Sequence, residues 1–266
     1  MKFINSTHNS KESLLNRRSF ISNSMLTLGY VMINPINMYS KNKISKIKAI
    51  AFDGFVIFNP KPVQDLVYEI FPEKGAEFIS IWRSKQFEYT WLRTSSNKYK
   101  NFWEVTEDAL NYTLKKTGLA LSNNKRQQLM DCFLNLKIWP EVLDGLKILK
   151  INGIRLAFLS NFTNEMMMAN LKKNEISDYF DFLLSTDQVN AFKPSPLAYQ
   201  MGIDAFKLEK SDILFAAFGA WDASGAKMFN YKTFWVNRLG VPMEELDVVP
   251  DGVGSNFNDL ISFLKL

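Results

Sequence analysis

The chain has 266 residues, of which 47% are hydrophobic, 22% charged and 14% aromatic. This is a globular composition, long enough for one sizeable core or two small ones, and it excludes disorder, collagen and coiled coil. The single cysteine, Cys132, and single histidine, His8, exclude an internal disulfide and a zinc ribbon or iron–sulfur cluster held by one chain, and leave no basis for a Ser–His triad. The net charge of +5 is uneven: residues 1–48 carry +7 and the remaining 218 carry −2, so the folded part offers no broad basic face for nucleic acid.

Residues 1–45 read as a leader and linker. Arg17-Arg18 precedes a weakly apolar run from Ile21 to Ile33, which resembles a twin-arginine export signal and implies a periplasmic destination. No Ala-x-Ala cleavage site follows; a non-functional extension would leave the protein in the cytoplasm. The apolar run is far short of the ~20 residues that span a bilayer, so no stable membrane insertion is expected.

Residues 46–61 open the folded part. The apolar run Ile47 to Phe52 predicts a strand ending at Asp53. From 62 to 138 apolar residues recur three or four apart, predicting an all-helical insert with no strand alternation. From 139 to 266 helix and strand alternate. Strands are predicted at Ile154 to Asn161, Phe182 to Ser185, Ile213 to Phe218 and Thr233 to Asn237, with helices between them and a last helix including Leu260 to Leu264. Strands apolar along their whole length predict an α/β parallel sheet covered by helices on both faces.

In such sheets the site lies at the carboxyl ends of the strands. The polar groups predicted there are Asp53, Ser160 with Asn161, Lys193 and Asp222. A carboxylate directly after an apolar strand needs a cation or hydrogen-bond donors to stay ionised, and Lys193 is a candidate partner for Asp53.

These residues carry a family resemblance. Ala51-Phe52-Asp53-Gly54-Phe55, Leu159-Ser160-Asn161, Lys193-Pro194 with Tyr199, and Ala220-Trp221-Asp222-Ala223-Ser224-Gly225 match, in order, the four short motifs of the haloacid dehalogenase superfamily. Ile81-Trp82-Arg83-Ser84-Lys85-Gln86-Phe87, extending to Arg93, and Asn101 to Leu110 are similar to the cap sequence of its L-2-haloacid dehalogenases. The resemblance implies a Rossmann-like core with an inserted helical cap. It also implies hydrolysis of short (S)-2-haloalkanoic acids to (R)-2-hydroxy acids and halide, through an ester on Asp53, in a homodimer without cofactor. By the same resemblance Arg83 handles substrate charge and halide, and Ser160 and Asn161 hold the substrate carboxylate. Lys193 keeps Asp53 ionised, Tyr199 supports Lys193 or the water, and Asp222 positions or deprotonates that water. Gly54, Phe55, Phe87 and Trp221 line the substrate, while Trp91 reads as cap core.

Two alternatives stay open. Superfamily phosphatases look like Asp-x-Asp in the first motif, where this chain has Phe55, and their last motif pairs acids for magnesium, where Trp221 precedes Asp222. One carboxylate near Asp53 furnishes a hard cation poorly, and no metal is expected. The other alternative is a catalytically weak 2-haloacid-binding relative. The family usually has a threonine after the nucleophile's aromatic, and a serine and an asparagine before the tryptophan. This chain has Val56-Ile57 in a stretch one residue shorter, and Ala217 and Gly219.

Overall fold

The computed structural model describes residues 47–266, and the leader with Arg17-Arg18 lies outside them. The chain order is β1 (Ala49–Phe52), α1 (Gly54–Ile57), β2 (Phe58–Asn59), α2 (Lys61–Ile70), α3 (Gly75–Ser95), α4 (Phe102–Thr117) and α5 (Asn123–Asp131). There follow β3 (Lys137–Ile138), α6 (Val142–Ile151), β4 (Arg155–Ser160), α7 (Asn164–Lys173), β5 (Phe182–Ser185) and α8 (Pro196–Phe206). The last elements are β6 (Ile213–Ala217), α9 (Ala220–Met228), β7 (Lys232–Val236), β8 (Gly252–Gly254) and α10 (Phe257–Phe263).

Six strands form a parallel sheet in the order β5-β4-β1-β6-β7-β8. Side chains alternate across it. Ile50, Phe52, Leu156, Phe158 and Leu214 pack in one buried cluster with Leu146 of α6, Met167 of α7 and Leu260 of α10. Ala49, Ala51, Ala157, Phe215 and Ala217 pack on the other face with Tyr199 of α8 and Ala223 of α9. Both faces are covered, which is why the strands show no polar alternation in sequence. β1 lies between β4 and β6, so the connections leave it in opposite directions and a crevice opens at its carboxyl end.

The insert is built on α3 and α4. Phe78, Trp82, Gln86 and Thr90, four residues apart, form the buried stripe of α3. Trp82 Nε1 donates to the Thr106 carbonyl at 2.9 Å and Gln86 Nε2 to Thr106 Oγ1 at 2.6 Å. Asn101 caps α4 with Glu104 reciprocating. Among the described residues no helix is long and apolar enough to cross a membrane.

One expectation is corrected and one strand is added. The insert is not helical to residue 138: Lys137–Ile138 pairs antiparallel with Phe58–Asn59, closing the point where the chain leaves and re-enters the core. A two-residue ribbon is too short to show periodicity. β8 was not predicted, because Gly-Val-Gly has little strand signal. A Cβ at Gly252 would lie 2.7 Å from both Phe234 and Phe263, so glycine allows this edge strand to lie against their rings.

Candidate active site

Asp53 follows β1 and caps α1, with Oδ2 accepting from the Phe55 N–H at 3.0 Å. Its Oδ1 accepts from Lys193 Nζ at 2.7 Å. Lys193 is wholly buried and also donates to Asp222 Oδ2 at 2.6 Å, while the Tyr199 hydroxyl donates to Asp222 Oδ1 at 2.7 Å. Asn161 Oδ1 accepts from the Lys193 backbone N–H at 3.0 Å, which ties the end of β4 to the lysine loop. The result is one cation between two carboxylates.

Burial alone would lower the Lys193 pKa, but the charges of Asp222 and Asp53 hold it above its ordinary value, so it stays an ammonium. The Asp222 carboxyl is pushed up to about 6 by burial and then by the charge of Asp53, against the pull of Lys193 and of the Tyr199 hydroxyl. Burial first, then the charge of Asp222, pushes the Tyr199 hydroxyl well above its ordinary value.

Above this layer lies a cavity of about 480 Å³. It is lined by Asp53, Phe55, Ser160 and Asn161 from the strand ends, by Arg83 and Phe87 from α3, and by Trp221. Arg83 and Phe87 lie four apart on α3 and so share a face. Burial lowers the Arg83 pKa. Among the described residues its guanidinium has no hydrogen-bond or ion-pair partner. An anion entering from solvent would therefore meet an unneutralised cation opposite Asp53.

Seven predicted residues thus meet at one cavity, and four do not reach it. Lys193, Asp222 and Tyr199 lie behind Asp53. Asp222 is 1% exposed, with Oδ2 bonded to Lys193 and Oδ1 to Tyr199, and it does not line the cavity. Gly54 packs beneath the wall, where a Cβ would lie 3.0 Å from Ser160 Oγ. Trp91 is not cap core: it is 40% exposed, and its ring lies 5.8 Å from that of Trp221, which in turn lies 5.2 Å from Phe87. Trp221 can lie there because position 219 is glycine; a Cβ would fall 2.7 Å from its Nε1.

The family model for haloacid dehalogenase-like hydrolases matches residues 47–230, which hold all of these groups. The chain belongs to the haloacid dehalogenase-like hydrolase family. Within it the chain stands with the L-2-haloacid dehalogenases. It is 42% identical to the (S)-2-haloacid dehalogenase of Pseudomonas sp. (strain YL), covering 77% of this chain and 89% of the relative. It is 38% identical to haloacetate dehalogenase H-2 of Moraxella sp. (strain B), covering 78% and 93%. Among solved structures, the L-2-haloacid dehalogenase RSc1362 superposes with a TM-score of 0.81 at 36% identity, over 83% of this chain and all of the other. The Xanthobacter autotrophicus L-2-haloacid dehalogenase with chloropropionic acid covalently bound superposes with a TM-score of 0.75 at 28% identity, over 82% and 98%.

Sequence reasoning missed part of this haloacid dehalogenase-like site. Leu239, Val241, Pro242 and Met243 line the cavity from the loop after β7, as do Phe102 of α4 and Phe162 and Phe218 of the strand-end loops. The strand-end rule extends to β7 and would have pointed to its loop. That loop is shaped by Asn237, whose amide donates to the Val241 carbonyl at 2.8 Å and accepts from the Val241 N–H at 3.1 Å.

Proposed function

We propose that the chain hydrolyses short (S)-2-haloalkanoic acids to (R)-2-hydroxy acids and halide. One observation carries this reading: a carboxylate paired with a buried lysine opens into a mostly apolar cavity that also presents an arginine. Asp53 attacks C2, a carbon–oxygen bond forms, and halide leaves with the bonding electrons. The apolar walls of Phe55, Phe87 and Trp221 strip water from the nucleophile. Arg83 receives the negative charge of substrate and departing halide, and Ser160 and Asn161 flank the substrate carboxylate. Water then adds to the ester carbonyl, the alcohol oxygen leaves and takes up a proton, and Asp53 is regenerated with one oxygen from water. No catalytic step in this scheme needs a metal.

Halide release from L-2-chloropropionate, measured with and without EDTA, tests the reading. Equal release in both supports it; turnover of phosphate esters only with magnesium would replace it with the phosphatase alternative. Single turnover in oxygen-18 water should place label in Asp53 before product. Label found directly in the hydroxy acid on the first turnover would show that water, not Asp53, attacks C2. The alternative of a weak haloacid-binding relative rests on Val56, Ala217 and Gly219, which offer no side-chain hydrogen bond, and similarity to (S)-2-haloacid dehalogenases does not favour it. Substrate binding without halide release would establish it.

We also propose export to the periplasm and assembly as a homodimer. The export reading rests on Arg17-Arg18 in a leader of charge +7, and equal cytoplasmic retention of the full chain and its Arg17→Lys/Arg18→Lys variant would refute it. The dimer rests on family resemblance, and a monomer mass by light scattering would refute it.

A further inference from the structure

The turn after Asp53, α1, carries no polar side chain in its four residues Gly54, Phe55, Val56 and Ile57. The carbonyls of so short a helix have few partners within it, and burying them unpaired is costly. Three of them are held from outside. Trp139 donates its backbone N–H to the Ile57 carbonyl at 3.1 Å and its Nε1 to the Phe55 carbonyl at 3.0 Å. Arg238 Nη2 reaches the Val56 carbonyl at 3.3 Å.

The two donors hold each other. The Arg238 guanidinium lies 4.3 Å from the centre of the Trp139 ring, and its Nη2 pairs with Glu141 Oε1 at 2.7 Å. Glu141 Oε1 also accepts from the Phe257 N–H at 3.1 Å, anchoring the group on α10. The Arg238 side chain is only 7% exposed, so little solvent competes for these bonds. Trp139 is the first residue after β3, where the chain returns from the insert, and Arg238 immediately precedes Leu239 of the cavity wall.

Both backbone groups of Phe55 are therefore committed: its N–H to Asp53 Oδ2 and its carbonyl to Trp139 Nε1. We infer that Trp139 and Arg238 are positioning residues that fix the Phe55 backbone and, through it, the direction of the Asp53 carboxylate. The inference rests on the reading of Asp53 as nucleophile. They act on the nucleophile without touching substrate, and they link the return from the insert to the attacking group.

The test compares wild type with Trp139→Phe, Arg238→Lys and Arg238→Ala. Misplacing a reacting group by about 1 Å can cost around 100-fold. Single-turnover ester formation should fall about 10- to 100-fold in Trp139→Phe and Arg238→Ala, while KM stays within about twofold. Arg238→Lys, which keeps the charge but not the fork, should fall between these and wild type. Methylguanidinium should restore Arg238→Ala at least severalfold where equal sodium chloride does not. The Phe55 amide proton should exchange with deuterium faster in both Trp139→Phe and Arg238→Ala, a readout independent of turnover. Unchanged Phe55 exchange, or ester formation within twofold of wild type in both variants, would overturn the inference. A wild type that releases no halide would overturn only the nucleophile reading, since the exchange measurement stands apart from it.

Discussion

Replacing Lys193 with methionine keeps the apolar stem and removes the charge between two carboxylates. Its Nζ lies 2.7 Å from Asp53 Oδ1 and 2.6 Å from Asp222 Oδ2, at 0% exposure. Removing one partner of a buried ion pair costs about 3–5 kcal/mol because the other charge is left unpaired. That is a large part of the roughly 5–15 kcal/mol that stabilises a typical domain. At about 2–4 °C per kcal/mol for a domain of this size, the melting temperature should fall by roughly 6–20 °C at pH 8. The loss should depend on pH. The Asp222 carboxyl already titrates at about 6, above its ordinary 3.8. A carboxyl whose folded pKa is raised binds its proton more tightly when folded, so its contribution to stability is greatest below 3.8 and is lost as pH rises through about 6. Lys193 is a group that pulls this pKa down. Without it the pKa climbs further, and the deficit of the variant should widen from pH 5 to pH 8. Scanning calorimetry of wild type and Lys193→Met at both pH values reads this directly. A deficit equal at the two pH values, or under about 2 °C at pH 8, would refute the reasoning.

Asp53→Asn should abolish halide release, yet melt within a few degrees of wild type because the amide oxygen still accepts from the Phe55 N–H; residual turnover would move the nucleophile elsewhere. Tyr199→Phe removes the 2.7 Å bond to Asp222. It should destabilise by about 1–3 kcal/mol, with the Asp222 pKa rising further. The acid limb of its kcat profile should move to higher pH with KM unchanged, and a superimposable profile would show that Tyr199 has no influence on the charged layer. Asn170→Ala should cost about 1–3 kcal/mol for each group it strands, read by urea unfolding. Asn170 accepts from the Leu136 N–H at 2.7 Å and donates to the Phe133 carbonyl at 2.7 Å, joining the end of the insert to α7. A midpoint unchanged from wild type would mean that water replaces it.

The sheet was legible because its strands are buried on both faces. Ile213 to Ala217 and Leu156 to Leu159 read as continuous apolar runs, and such runs leave little choice but a covered parallel strand. The helical insert was legible from apolar residues three or four apart, such as Phe78 and Trp82. β8 was not, because its glycines make room for side chains outside the strand, Gly252 for Phe234 and Phe263 and Gly254 for Asp259 and Phe234. The loop from Leu239 to Met243 has no periodicity and joins the cavity only because β7 carries it there.

For the site, strand-end position is a local property, and sequence alone determined that Asp53, Ser160, Asn161, Lys193 and Asp222 gather at one edge of a parallel sheet. Depth is not local. Lys193 reaches Asp53 across 140 residues of chain, and the packing of α8 and α9 decided that Lys193, Tyr199 and Asp222 form a buried layer behind the nucleophile while Arg83 and Phe87 face it from above. Trp91 and Trp139 make the same point: each is an aromatic residue on bare sequence, and only the neighbours supplied by distant segments made one a contact of Trp221 and the other a clamp on the nucleophile turn. Periodicity fixes which face of an element is buried, whereas long-range packing fixes what each buried or half-buried group meets there.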